Sequence, residues 1–241
     1  MPVYRIAQLN IRIQPLYPQT AQRLEPYKTD ASHQDFDASV TREAVERYLA
    51  DSSVSGAPHL AEGALILTAI CQTVLKDYNG CFFHSSSLMM DGEAYLFTAL
   101  SGTGKSTHTA LWRRRFGDKV TMINDDKPIV RYIDGKYWVC STPWMGKSEI
   151  GNNINAPIKA IYVLQRGKEN RAERVSVAQV FPQLLEATLL PRDPGDMQKL
   201  LTLFDGLFSR VPLFLLHCNQ DEEAAAVAYN AANKERDEIE H

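Results

Sequence analysis

Cysteine is scarce and scattered: the 241 residues carry four, Cys71, Cys81, Cys140 and Cys218, with no C-x-x-C pair. That spacing argues against a zinc site and offers no disulfide framework, so reduced thiols in a cytoplasmic protein are expected. An excess of charge of one sign is also lacking, since 26 Lys and Arg against 29 Asp and Glu leave a net charge of -3. No basic field is present to hold nucleic acid or an anionic membrane. Long apolar runs are missing as well. The first residues, MPVYRIAQLNIRIQPLY, alternate apolar with polar and lack the apolar run and cleavage site of a signal peptide. The most apolar window, Ala64 to Leu75, is interrupted by Thr68, Gln72 and Thr73; it is too short to span a bilayer and reads as a buried helix. There is no internal repeat and no low-complexity segment. The length suits one large domain, or one domain with a small appendage.

Within that frame the pattern is α/β. Val3 to Ile13 alternates as a strand, and the stretch holding Pro15, Pro18 and Pro26 reads as loop. Helices are expected over Thr41 to Leu49 and His59 to Asp77, separated by a Ser/Gly linker from Asp51 to Pro58. Cys81 to Met90, the turn Asp91-Gly92 and Glu93 to Leu100 read as a β-hairpin. A helix from Lys105 to Arg115 and a strand from Lys119 to Ile123 follow, then a second hairpin, Ile129 to Ile133 and Lys136 to Cys140 around Asp134-Gly135. Ile158 to Leu164 and Val211 to His217 read as strands; Val177 to Leu190, Gly195 to Ser209 and Asp221 to Glu238 read as helices. Hairpins mixed with strand–helix units imply a mixed β-sheet with flanking helices. Residues 1–80 form a small N-terminal α+β region in this reading, and residues 81–241 the main domain.

One segment carries chemistry by its spacing. Ala99-Leu100-Ser101-Gly102-Thr103-Gly104-Lys105-Ser106 departs from the Walker A pattern of a P-loop only at Ala99, where the pattern has Gly. A strand leads in and a helix leads out, as the mechanism requires. Gly102 and Gly104 let successive backbone N–H groups turn inward into an anion nest, and the helix start adds its positive end. Ser101 to Thr107 are the expected nucleotide-binding residues. Lys105 reaches the terminal phosphates, and the Ser106 hydroxyl is placed for Mg²⁺. A phosphate loop needs an acid on a neighbouring strand, and Asn124-Asp125-Asp126 ends the next apolar strand. One carboxylate can serve Mg²⁺ and the other a reacting hydroxyl; which does which stays open. Lys147, in Thr142 to Glu149, and Arg192, in Pro191-Arg192-Asp193-Pro194, are further candidates for phosphate charge.

The order of His84 on a strand, a hairpin, S-G-T-G-K-S-T, a helix and a strand ending in D-D resembles the catalytic domain of the HPr kinase/phosphorylase family. It resembles more distantly the nucleotide half of ATP-dependent phosphoenolpyruvate carboxykinase. The resemblance covers about Cys81 to His217 and is specific at the loop and the acid pair. It implies a mixed-sheet nucleotide-binding fold and an ATP/Mg²⁺-dependent kinase moving a phosphoryl group to a serine-type hydroxyl of a peptide, protein or small molecule. It also implies that His84 assists the catalytic Asp, and that self-association is open to the chain. The glutamate and Arg-Gly-Leu-Gly signature of that family is not matched in Ser141 to Glu149, which points to a divergent member with its own substrate. A nucleotide-binding regulator with little turnover is the alternative from another class. A carboxykinase-like enzyme acting on an organic acid is the third reading.

Overall fold

The alternation at the start of the chain turns back on itself. Val3–Ile6 (β1) and Leu9–Arg12 (β2) pair antiparallel around Ala7 and Gln8, whose φ angles are 51° and 61°. The single strand expected over Val3 to Ile13 is therefore a hairpin. Its turn places two ordinary residues in the left-handed region, where Asn and Gly are the usual occupants, so the sequence carries no turn signal there. The proline-rich stretch read as loop contains helix α1, Pro18–Leu24. Pro18 stands at the start of that helix, where a missing N–H is no loss. Lys28–Thr29 (β3) and Phe36–Asp37 (β4) complete a sheet in the order β3-β1-β2-β4. The structure, a computed structural model, describes residues 1–51, 56–100 and 102–239, with side chains as far as 234. Ser101 and residues 52–55 of the expected linker lie outside the described residues.

Helices α2 (Arg42–Asp51) and α3 (Pro58–Asp77) follow. By length and composition α3 could cross a membrane, yet half of that span is buried inside the protein. Ile66, Ile70 and Val74 are fully buried and share a core with Ile6 and Ile11 of the first sheet. Ile129, Cys140 and Trp144, from the later part of the chain, belong to that same core. Glu62, also buried, accepts the Leu16 N–H at 2.5 Å.

The second sheet begins with Gly80–Phe82 (β5), Ser86–Met90 (β6) and Glu93–Thr98 (β7). The strand expected over Cys81 to Met90 is thus broken at residues 83–85. Helix α4 (Lys105–Phe116), β8 (Thr121–Asn124), β9 (Ile129–Ile133), β10 (Lys136–Cys140) and β11 (Asn155–Arg166) come next. The chain closes with β12 (Arg171–Arg174), α5 (Val177–Glu186), α6 (Pro194–Arg210), β13 (Leu213–Cys218) and α7 (Glu223–Ile239). Helix α5 ends four residues before the expected Leu190; Pro182 lies inside it and Val180 is already non-helical, as a missing donor and ring clash require. Strand β12, with the sequence RAER, is an edge strand too charged to announce itself.

Among the described residues this is a nine-stranded curled mixed sheet, ordered β5-β9-β10-β11-β7-β6-β8, with β13 joining β11 and β12. Strand β11 changes partner along its length. Its residues 155–157 pair antiparallel with β10, and 161–166 pair parallel with β13. Its other edge runs parallel to β7. Strand β7 is buried on both faces. Ala94 and Leu96 pack in one core with Leu184 of α5 and Leu200 and Leu207 of α6, while Tyr95 and Phe97 pack in another with Trp112 of α4 and Ala228 of α7. Burial on both faces explains why β7 reads as a nearly continuous apolar run.

Gly80 marks the junction of α3 with this sheet. A Cβ there would lie 2.5 Å from Arg131 Cγ, 2.7 Å from the Val130 carbonyl oxygen and 2.7 Å from Val74 Cγ1. Since one of these is backbone, Gly80→Ala is expected to destabilise the fold by about 1–3 kcal/mol, read from the denaturation midpoint in urea.

Candidate functional site

Strand β6 lies between β7 and β8 and runs antiparallel to both. The carboxyl ends of β7 and β8 and the start of β6 therefore meet at one edge. Strands β11 and β13, parallel to β7 through β11, end there too. Carboxyl ends of parallel strands are where ligands bind in sheets of this kind.

The glycine-rich bend leaves β7 and enters α4 at this edge. Gly102 and Gly104 have φ of 77° and 120°, a region that glycine enters without steric cost. The Thr103 N–H donates to the Leu100 carbonyl at 3.2 Å. Lys105 is buried, and its Nζ donates back to the Ala99 carbonyl at 3.2 Å, laying the ammonium across the bend. Burial lowers its pKa, while the nearby Asp126 and Asp125 charges oppose that shift. Ser106 and Thr107 are exposed in the first turn of α4, and Thr103 and Gly104 are half-buried. From the end of β11, Arg166 Nη2 donates to the Gly102 carbonyl at 2.8 Å.

The acid pair follows β8 directly. Asn124, fully buried, accepts the N–H groups of Asp126 and Lys127 on its side-chain oxygen at 2.9 and 2.7 Å, folding the turn that presents both carboxylates. Asp125 is nearly buried, and each of its oxygens accepts a serine hydroxyl at 2.5 Å: Ser86 on Oδ1 and Ser148 on Oδ2. The Ser86 oxygen lies 2.9 Å from Thr109 Oγ1, one turn along α4 from Lys105. A hydrogen-bonded chain thus ties Asp125 to the helix carrying the glycine bend. Asp126 is more open. His84 Nε2 lies 2.9 Å from its Oδ1, and Lys127 Nζ pairs with Oδ2. Burial alone would raise the Asp126 pKa, but the His84 and Lys127 hydrogen bonds and the Lys127 charge outweigh it, to about 2. His84 sits in the break between β5 and β6. Its N–H donates to the Ala187 carbonyl at 2.5 Å, and its own carbonyl accepts from Thr98 Oγ1 at 3.0 Å.

The segment after β10 packs over the acids. A Cβ on Gly146, whose φ is 71°, would lie 2.9 Å from Asp126 Cβ, so only glycine allows that approach. Two residues on, Ser148 holds Asp125. Lys147 stands between these contacts and is exposed. Arg192 is exposed in the segment between α5 and α6 and lines a cavity with Gln72, Lys76 and Asp196; among the described residues, neither Asp125 nor Asp126 nor any part of the bend lines that cavity. The sequence reading missed Ser86, Ser148, Lys127, Asn124 and Arg166. Asn124 and Lys127 flank the acid pair and so carried a signal, since they fall at the same strand end. Ser86, Ser148 and Arg166 reach the site only through tertiary contact.

No protein-family model and no curated protein matches the chain. Solved structures do. One is the Hpr(Ser) kinase/phosphatase from Coxiella burnetii, 12% identical, with the match covering 66% of this chain and 92% of that chain at a TM-score of 0.37.

Helix α4 is anchored by a second histidine. Trp112 Nε1 donates to His108 Nε2 at 3.1 Å inside the core, and burial lowers the His108 pKa to about 3. The unfolded chain binds this proton below pH 6.5, and the native state refuses it until about pH 3. Stability therefore drops as pH is lowered through that window, by about 1–2 kcal/mol from pH 6.5 to 5. His108→Gln is expected to flatten that part of the stability profile, measured by urea denaturation at each pH.

Proposed function

We propose that the protein is a nucleotide-dependent phosphotransferase that holds ATP·Mg²⁺ on the bend from Ser101 to Thr107 and transfers a phosphoryl group to a hydroxyl acceptor. One observation carries this: a buried lysine folded back across a glycine bend and close to two carboxylates, one of which, Asp125, is tied through Ser86 to Thr109 of the same helix. The donor set suits the ion. Ser106 and Asp125 offer hard oxygen ligands, and Mg²⁺ needs only one or two carboxylates, the rest coming from phosphate and water. When bound, the ion would neutralise charge on the phosphates.

The chain's own groups have distinct tasks in this proposal. Backbone N–H groups of the bend and the Lys105 ammonium hold the phosphates, and Arg166 braces the bend through the Gly102 carbonyl. Asp126, held ionised, orients the acceptor hydroxyl and takes its proton as the new oxygen–phosphorus bond forms and the bond to ADP breaks. A weak base suffices, because transfer of this kind is governed by positioning and charge more than by proton abstraction. His84 fixes the Asp126 carboxylate. Lys147 and Arg192 are assigned no step.

Nucleotide binding with little turnover is a second reading, favoured by the two serine hydroxyls that already occupy the Asp125 oxygens. Calorimetry with ATP·Mg²⁺ and ADP release in cell extract separate the two. Asp126→Asn is expected to lower turnover about 10²–10⁴-fold while ATP·Mg²⁺ affinity changes only a few-fold. Lys105→Ala is expected to weaken ATP·Mg²⁺ binding by about tenfold or more. No binding at millimolar ATP·Mg²⁺ would refute both readings; binding with no Asp126-dependent turnover would leave the regulator.

A further inference from the structure

Next to Asp126 lies a recess of about 360 Å³ that the phosphotransferase chemistry does not use. Its walls are apolar, formed by Leu67 and Cys71 of α3, Phe82 of β5, Trp144, and the rim residues Leu60 and Leu189. Leu60 and Leu189 are 50% and 43% exposed, large apolar groups that the chain leaves uncovered. The recess touches the proposed machinery at two points. The Phe82 ring stacks on His84, centroids 6.4 Å apart and planes within 18°. Lys127, which also lines the recess, pairs with Asp126. Any group filling the recess is thus one side chain away from the carboxylate that would orient a hydroxyl.

Charge and polarity narrow the occupant further. Among the described residues the charged groups lining the recess, Arg23 and Lys127, are both cationic; Lys127 pairs with Asp126, while Arg23 holds only a long, exposed contact to Glu149 at 3.7 Å. Arg23 also lines an adjoining cleft of about 650 Å³ with Gln22, Asn152 and Asn153 around Gly146; the Asn152 and Asn153 amides donate to the Met122 and Pro26 carbonyls, which turns their side-chain oxygens into fixed acceptors. Such acceptors, with the Gln22 amide, can meet the N–H groups of a peptide main chain. An apolar pocket with a few converging polar groups is the usual form of a small-ligand site.

We infer that the recess is the acceptor's specificity pocket, taking the bulky apolar side chain of a short peptide whose serine-type hydroxyl sits at Asp126 and whose carboxylate faces Arg23. The inference rests on the phosphotransferase reading for the chemistry at Asp126, but binding in the recess does not require it. Serylphenylalanine and serylglycine are the probes, titrated calorimetrically into the full chain with and without ATP·Mg²⁺. Serylphenylalanine is expected to bind about tenfold or more tightly, the gain from burying one aromatic side chain. Ala64→Trp, which fills the recess from α3, should erase that preference. If that variant does not fold, Leu189→Asp at the exposed rim decides in its place. Equal affinity for the two dipeptides, binding of neither at millimolar concentration, or a preference that survives in the folded variant would overturn the inference. ATP turnover without dipeptide preference would remove the pocket and leave the kinase. A variant-sensitive preference without nucleotide binding would remove the kinase and leave the pocket.

Discussion

A carboxylate taken almost wholly out of water is stable only if its oxygens find donors. Asp125 meets that demand with two hydroxyls, one from β6 and one from the segment after β10. The rest of the site depends on this constraint. Ser86 can serve Asp125 only while β6 sits between β7 and β8, and it reaches Thr109 only while α4 lies against the same strand end. The sheet order, the helix position and the acid pair are thereby mutually fixed. Asp126 can then face outward with its own partners, His84 and Lys127.

The two carboxylates differ in consequence. Asp125 is nearly buried and bonded to neutral hydroxyls; Asp126 is bonded to a histidine and an ammonium, and those contacts hold it ionised against the effect of burial. Lys105 feels both acids while its own burial works against its charge. A cation balanced in that way gains from an anion placed beside it, which is the electrostatic sense of a lysine lying across a glycine bend.

Short-range features were legible in the sequence. The Asp91-Gly92 and Asp134-Gly135 hairpins form where the dipeptides announce them, with Asp91 and Asp134 at φ 55° and 48°. The bend between β7 and α4 and the acids after β8 also lie where spacing put them. Features that escaped depend on context. The Ala7-Gln8 turn has no glycine to betray it, and Pro18 starts a helix that its neighbours disguise as loop. Ser86, Ser148 and Arg166 are ordinary polar residues in the sequence. They acquire meaning only when pairing brings residues 39, 23 and 64 positions apart into contact.

The core around α3 has a mechanical corollary. Ile6 and Ile11 of the first hairpin are sealed against the same apolar cluster as Ile129, Cys140 and Trp144 of the wide sheet. Peeling the opening eighty residues away along the cleft beside Arg23 would strip Ile129 and Trp144 bare. That shared cluster couples the amino-terminal hairpin to the strand end that bears the acids, so heat or denaturant is expected to find one cooperative body.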